Sequence, residues 1–579
     1  MFFPSTALRR LAPLLAVLLL AGPLPATDLP GFRRSPWFGE QVREEWVSDG
    51  VRVLANAAKE FDPKKPTRLM IYATPNGNSI EQTLGCEKAD GVDWRFDIQH
   101  VAAQVRTLRA LTPTVNIVLA CAEADGLSWP AWKKKRTDGP ARIRRVVETI
   151  RGWLPDGEVR VTLAGHSGGG SFLFGYLDGG EAVPDGVERF VFLDANSSYR
   201  DEDEHGDKLL AWLKDGTGRR LVVIAYDDRE VTLDEKRVVG PDGGTYRATE
   251  RMRKRLAKDV ELTETTADDF VHHIGLNGRL ALHVHANPRG KILHTALVGE
   301  MNGLLRGQTD DWPKAAWGTF GGPRAYVKWV QPAPGIPNRP ANAPGGRAVV
   351  AKLEGLKPTE REIAIADEIA RGNVPDFLRT FHPLKLTAND GKGTEHAMVL
   401  EVMPDYLAVG SDADFVRVPM TPVAAAFVAD RFGCGLPTRK LVDEVYRAAA
   451  VKLEPKPLTT ARESVATFLA HHDLIEGQRM GKKLGELVGG VKKDVVVSNR
   501  LGEKPNRVAI YGWHQTDGQP IQPLSVVHAR TYVDYSHGAR LVRRAVTVDG
   551  RERDLRHILA SPDLCPLVSD EGAITAPGY

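Results

Sequence analysis

Between residues 42 and 310 short apolar runs alternate with amphipathic stretches. The apolar runs are residues 68–73, 115–120, 159–164, 189–193, 221–226 and 280–284. Most are near-continuous rather than alternating, as expected of strands covered on both faces in a parallel sheet. Between them, residues 98–111 carry Val101, Val105 and Leu108 on one helical face. Residues 141–154 carry Ile143, Val146, Val147 and Ile150, with arginines opposite. Alternation of this kind predicts an α/β unit in three layers, a mostly parallel sheet with helices on both faces.

The pattern stops near residue 330. Residues 331–349 open with a stretch rich in Pro, Gly and Asn and have no periodicity, so they read as a linker. Residues 350–579 mix helical segments (360–370, 422–431, 438–450) with a strand-rich part (494–498, 507–511), which predicts a separate α+β unit. There are no internal repeats.

Candidate chemistry centres on Gly165-His166-Ser167-Gly168-Gly169. The motif follows a strand-like run and precedes the helix-like residues 171–177. This is the strand–turn–helix context in which a serine is held in a strained turn above a sheet. Small residues two before and two after the serine leave room for that turn. Acyl transfer by serine also needs a base, an acid and an oxyanion hole. His294 fits the base, because it lies past the final strand and is expected to open a helix over 295–305. His272, His273, His283 and His285 fit polar positions at the sheet edge or satisfied core sites. For the acid, Asp228 is preferred, then Asp194, then Asp227; each follows a strand, and each also fits a capping or turn aspartate. The oxyanion donors are the backbone N–H of Gly168 and one from the turn at Asn76 and Gly77, after an early strand. An ordinary Asn-Gly turn would read the same way.

On the motif, the acid after a later strand and His294, residues 42–310 resemble the α/β-hydrolase fold superfamily. The resemblance implies a Ser-His-Asp hydrolase, most often an esterase or lipase and sometimes a peptidase, working without a cofactor. Gly168-Gly169-Gly170, and the lack of a His-Gly-Gly-Gly segment, depart from the common lipase pattern and leave the substrate class open.

Composition adds limits. The 579 residues are 42% apolar and 26% charged, ordinary for a soluble globular protein. A formal charge of +3 gives no ground for nucleic-acid binding. Arg9 and Arg10, the apolar residues 11–21 and Leu24-Pro25-Ala26 read as a signal peptide cleaved after Ala26, hence a secreted or periplasmic protein. Leu24 departs from the small residue usual there. No later run is long enough to span a membrane. Export and the two-plus-two distribution of cysteines predict Cys86–Cys121 and Cys434–Cys565 disulfides, with four buried free thiols as the alternative.

Trp94, Trp129 and Trp132 lie on loops after strands and are candidate substrate contacts, although packing under long loops explains them as well. Residues 511–540 gather Tyr511, Trp513, His514, Asp517, His528, Tyr532, Asp534, Tyr535 and His537. His528, Asp534 and His537 are of metal-ligating types but match no zinc spacing, so no metal is assigned. The leading expectation is an exported serine esterase acting on a small or polymer-linked ester. The rivals are an inactive hydrolase scaffold whose second unit binds glycan or a partner protein, and a bifunctional cell-wall hydrolase.

Overall fold

The computed structural model describes residues 28–48, 50–309, 318–575 and 578–579. The proposed signal peptide lies outside them. Six parallel strands form the middle of an 11-stranded sheet: Asn116–Ala124, Thr67–Ala73, Val159–His166, Val187–Leu193, Arg220–Tyr226 and Leu280–His285, in that spatial order. Antiparallel strands extend both edges. Val51–Ala57, Gln41–Ser48 and Arg33–Arg34 lie beside Asn116–Ala124. Phe270–Gly275 and Thr263–Ala267 lie beside Leu280–His285. The expected α/β architecture is therefore present, with antiparallel edges that the apolar pattern did not reveal.

Two cores sandwich the sheet. Helices Gly139–Arg151, Gly170–Asp178, His205–Lys214 and Thr245–Leu256 pack on the face carrying Leu69, Ile71 and Leu163. Helices Val101–Leu111 and Gly303–Gln308 pack on the face carrying Met70, Tyr72 and Ala164. Alternate residues of one strand thus feed opposite cores, and both kinds must be apolar. Residues 294–301 are a series of turns, so the helix expected directly after His294 begins only at Gly303. Among the described residues no helix is long and apolar enough to cross a membrane.

The C-terminal half is α+β, as expected. One sheet is built around the hairpin His382–Asn389 and Glu395–Val402. A second orders Pro520–Ser525, Ile510–His514, Lys493–Val495 and His537–Gly538. Helices Pro358–Ala370, Pro422–Arg431, Arg439–Ala448 and Val465–Arg479 flank them.

Two sequence expectations are corrected. All four cysteines are free and buried. Cys121 sits mid-strand in one core of the first sheet and Cys434 in a core of the C-terminal half, where they pack as small apolar side chains. Burial pushes the Cys86 thiol up to about 12, which keeps it protonated. The Pro/Gly segment is also not loose. Its Gln331 carbonyl accepts from the Glu87 N–H at 2.8 Å, and its Pro337 carbonyl accepts from Arg379 at 2.7 Å.

The halves meet through buried charge. Arg52, fully buried, bonds Glu44, Glu81 and Glu123 in the first half. Arg556 of the C-terminal half bonds Glu44 at 2.9 Å and Glu81 at 2.5 Å. His557 Nε2 lies 2.7 Å from Glu123. Removing one partner of a buried ion pair strands the other, at a cost of about 3 kcal/mol or more. Arg556→Met is therefore expected to lower the unfolding free energy by about 3 kcal/mol, read from the midpoint of denaturant unfolding. A midpoint equal to wild type would show that Arg52 alone neutralises the three glutamates.

Candidate active site

The connections at the C-terminal ends of the six parallel strands carry the candidate residues, the edge where open α/β sheets present their sites. Strand Val159–His166 lies between Thr67–Ala73 and Val187–Leu193, so Ser167 emerges near the middle of the sheet. Its φ is +54°, in the left-handed region that side chains avoid. The turn is held by close approach on both sides. A Cβ on Gly169 would collide with the Ala73 carbonyl, and one on Gly170 with the Ala195 carbonyl. Trp129 and Trp132, each 1% exposed, pack beneath the following helix, with Trp129 4.7 Å from Phe172. Both tryptophans are core supports, which corrects their reading as substrate contacts. Trp94 is 63% exposed. Its neighbour Arg95 donates to the Gly77 carbonyl at 3.2 Å, which ties the turn containing Trp94 to the candidate oxyanion loop.

His294 Nδ1 bonds Asp194 Oδ2 at 2.5 Å. Asp194 directly follows strand Val187–Leu193, is buried, and has a φ of +48°. Burial pulls the His294 pKa down, but the hydrogen bond and charge of Asp194 outweigh it, and the net shift is upward. Asp228, the acid preferred from sequence, bonds Thr245 instead: its Oδ2 accepts the Thr245 N–H at 2.8 Å. The Thr245 hydroxyl in turn donates to Asp194 Oδ1. Asp228 Oδ1 is buried without a partner, and burial, with the Asp194 charge adding, raises its pKa. Asp227 is committed to Arg229, with contacts of 2.7 and 2.9 Å. Of the three aspartates, only Asp194 is joined to His294.

The other histidines have separate partners. His272 and His283 bond each other at 2.8 Å, and His285 Nδ1 accepts the Asn287 N–H at 2.9 Å. His166, inside the motif, was not singled out from sequence. Its Nε2 donates to the His294 carbonyl at 2.9 Å, and the two rings lie 4.5 Å apart. Burial, then the neighbouring His294 charge, hold His166 well below the usual imidazole range, so it is neutral. His166 thus ties the serine strand to the His294 loop. The only hint in the sequence was a ring where the motif accepts any residue. Thr245 was also missed, since nothing local links it to a strand 50 residues earlier.

On the opposite side, the Asn76 side chain covers the Cα of Gly168. The Gly77 N–H is spent on the Leu127 carbonyl at 2.9 Å, so Gly77 has no N–H left to offer. No group of three His, Cys, Asp or Glu able to hold a metal occurs among the described residues.

No family model and no curated protein sequence matches the chain. Solved structures similar to it include a siderophore hydrolase of Aspergillus nidulans, at 13% identity over 51% of this chain and 99% of that one, TM-score 0.27. The feruloyl esterase module of Clostridium thermocellum is 9% identical over 35% of this chain and 72% of its own, TM-score 0.24. Thermogutta terrifontis esterase 2 is 8% identical over 45% and 85%, TM-score 0.24. These neighbours are esterases and hydrolases of the α/β-hydrolase type, and at such scores the chemistry rests on this chain's own residues.

The elbow gives a local test. Gly170→Ala places a methyl against backbone that no rotamer change can move, and is expected to cost at least about 2 kcal/mol. Gly186→Ala, with open space around its Cα, is expected to stay within about 0.5 kcal/mol of wild type. Paired unfolding curves check both, and equal stability of the two variants would contradict the packing described.

Proposed function

We propose that the protein is a serine hydrolase acting on carboxylic esters, with Ser167 as nucleophile, His294 as base and Asp194 as the acid that orients it. The single observation that carries this reading is the His294–Asp194 bond in the loop clamped by His166, the residue preceding Ser167. A proton on Nδ1 held by Asp194 leaves the Nε2 lone pair of His294 to take the serine proton. Ser167 Oγ then attacks the carbonyl carbon. The N–H groups of Gly168 and Asn76 receive the developing oxyanion, Gly77 being occupied. His294 returns the proton to the leaving alcohol, and water releases the acyl group by the reverse sequence. In this reading Asp228, whose Oδ2 accepts the Thr245 N–H, seats Thr245 against Asp194 and is not the acid.

Trp94, exposed in the turn that Arg95 ties to Gly77, is the aromatic side chain assigned to the substrate's acyl or alcohol part. Export through the N-terminal signal is part of the same proposal and accords with an ester substrate outside the cytoplasm.

Ser167→Ala is expected to cut hydrolysis of a p-nitrophenyl ester by on the order of 10⁴-fold or more, with the fold intact. Activity within tenfold of wild type would reject the nucleophile. Asp194→Asn is expected to cost on the order of 10⁴-fold, because an amide no longer selects the productive tautomer. Asp228→Asn should stay within roughly tenfold, since its amide oxygen can still accept from Thr245. The reverse order would reassign the acid.

The pH profile has a definite sign. His294 acts as base only when neutral, and Asp194 raises its pKa. The acidic limb of kcat/KM should therefore rise with a midpoint above that of a free imidazole. In Asp194→Asn the residual activity should rise at lower pH. An unmoved midpoint would show that another group controls the limb.

A further inference from the structure

The C-terminal half contains a polar cluster that the hydrolytic site does not use. Four elements build it. Helix Val465–Arg479 supplies His471, the residues before strand Lys493–Val495 supply Lys492, strand Ile510–His514 supplies Trp513, and the turn before His537–Gly538 supplies Asp534 to His537. The ring of His471 lies 5.7 Å from Trp513 and 4.8 Å from Tyr535. Lys492, His471, Trp513, Asp534 and His537 are each at most 2% exposed. Trp513 has a φ of +57°, a strained backbone for a bulky residue, just past a slip in strand register between Ile510 and Gly512.

Four ring nitrogens here are buried without a hydrogen-bond partner: Nε2 of His471, Nε1 of Trp513 and both nitrogens of His537. An unsatisfied buried polar group costs roughly 1–3 kcal/mol, so such a concentration calls for an explanation. Their chemistry is one-sided. The Trp513 nitrogen only donates. Lys492 Nζ donates to the Tyr535 carbonyl at 2.5 Å and lies 3.5 Å from His471 Nδ1; when Lys492 is charged, that nitrogen is the acceptor and the His471 proton sits on Nε2. A neutral His537 carries one N–H, and burial lowers its pKa to about 4. The unfilled partners are therefore chiefly hydrogen-bond acceptors.

Charge at the mouth points the same way. Lys493 sits 5.7 Å over the Trp513 ring, and Arg462 stands half-exposed at the rim. Burial lowers the pKa of Lys492, inside the cluster, to about 7, and an anion beside it would favour its charged form. The carboxylate in the cluster, Asp534, is already saturated. Its Oδ2 accepts from Arg462 at 2.6 Å and from Tyr532 at 3.0 Å, and its Oδ1 accepts from Ser536 N–H and O–H at 2.8 and 2.6 Å. Arg417, behind Lys492, is neutralised by Asp405 and Glu476.

A strap covers the cluster. Leu458 exchanges hydrogen bonds with the Tyr535 hydroxyl, the Arg462 carbonyl accepts the Tyr535 N–H at 3.0 Å, and the Arg462 side chain reaches Asp534. We infer that this is a second ligand site, closed by the strap, that binds an oxyanion against Trp513, His471 and His537 with Lys493 and Arg462 at its mouth. The ligand group is a carboxylate or a phosphate. Both present the acceptor oxygens and negative charge that the site lacks. The site is independent of ester hydrolysis.

The test is calorimetric titration of the full chain with glucuronate and, separately, inorganic phosphate, with glucose and chloride as controls at matched ionic strength. Saturable binding of glucuronate or of phosphate, and not of the controls, is expected, and the one that binds identifies the group. Trp513→Phe, which keeps the ring and removes the donor, and Lys493→Gln, at the half-buried rim, should each weaken it roughly tenfold. If Trp513→Phe fails to fold, Lys493→Gln decides alone. No saturable binding by either anion, or binding unchanged in the folded variants, overturns the proposal. Ser167→Ala should bind as wild type does, so failure of the hydrolase reading would leave this result untouched.

Discussion

The edge that carries the proposed site depends on a close approach: the backbone after Ser167 packs against the carbonyls of Ala73, at the end of one neighbouring strand, and Ala195, just past the end of the other. There is no room for a side chain at Gly169 or Gly170. The chain must therefore leave the strand abruptly, and the residue at the corner is forced to positive φ. That one constraint points Ser167 out of the sheet. It also puts Gly168 under Asn76 and draws Asp194 to the same level on the adjacent strand. His294 is then fixed from two sides, by Asp194 on its ring and by His166 on its carbonyl.

The parallel strands were legible because burial on both faces leaves near-continuous apolar runs, here spaced regularly between amphipathic stretches. The edges were not. Strand Gln41–Ser48 reads QVREEWVS, and its glutamates and arginine look like a solvated loop until Arg52 and Arg556 are seen to neutralise Glu44. Strand Thr263–Ala267 is wholly exposed and has no apolar residue before Ala267. Compensation of charge by distant residues leaves no local trace.

Within the proposed site, order along the chain singles out Ser167 and His294, whereas it leaves the choice of aspartate open. Asp194 and Asp228 both follow parallel strands, and both are buried against Thr245. Only the tertiary path of residues 286–294 decides which carboxylate the imidazole meets. The tryptophans show the same limit. Trp94, Trp129 and Trp132 all lie in short helices within the connections after strands, yet two of them fill the space under the elbow helix and one faces solvent. The cysteines failed for a different reason, since pairing by proximity in sequence ignores that Cys121 points into a core from the middle of a strand.

The buried charges between the halves bear on the site as well as on stability. Glu123 accepts the N–H of Ile80 at 2.7 Å, at the start of the short helix Ile80–Leu84 that follows the oxyanion loop. Glu81 lies on that helix and receives both Arg52 and Arg556. His557, whose pKa the Glu123 charge raises against the pull of burial, faces the same Glu123. Two adjacent residues of the C-terminal half thus hold the two carboxylates that anchor the helix behind Asn76. The turn at Asn76 is placed from in front by Gly168 and from behind by Arg556 and His557. The edge that carries the proposed site is thus completed by the C-terminal half, although every residue proposed for the chemistry lies before it in the chain.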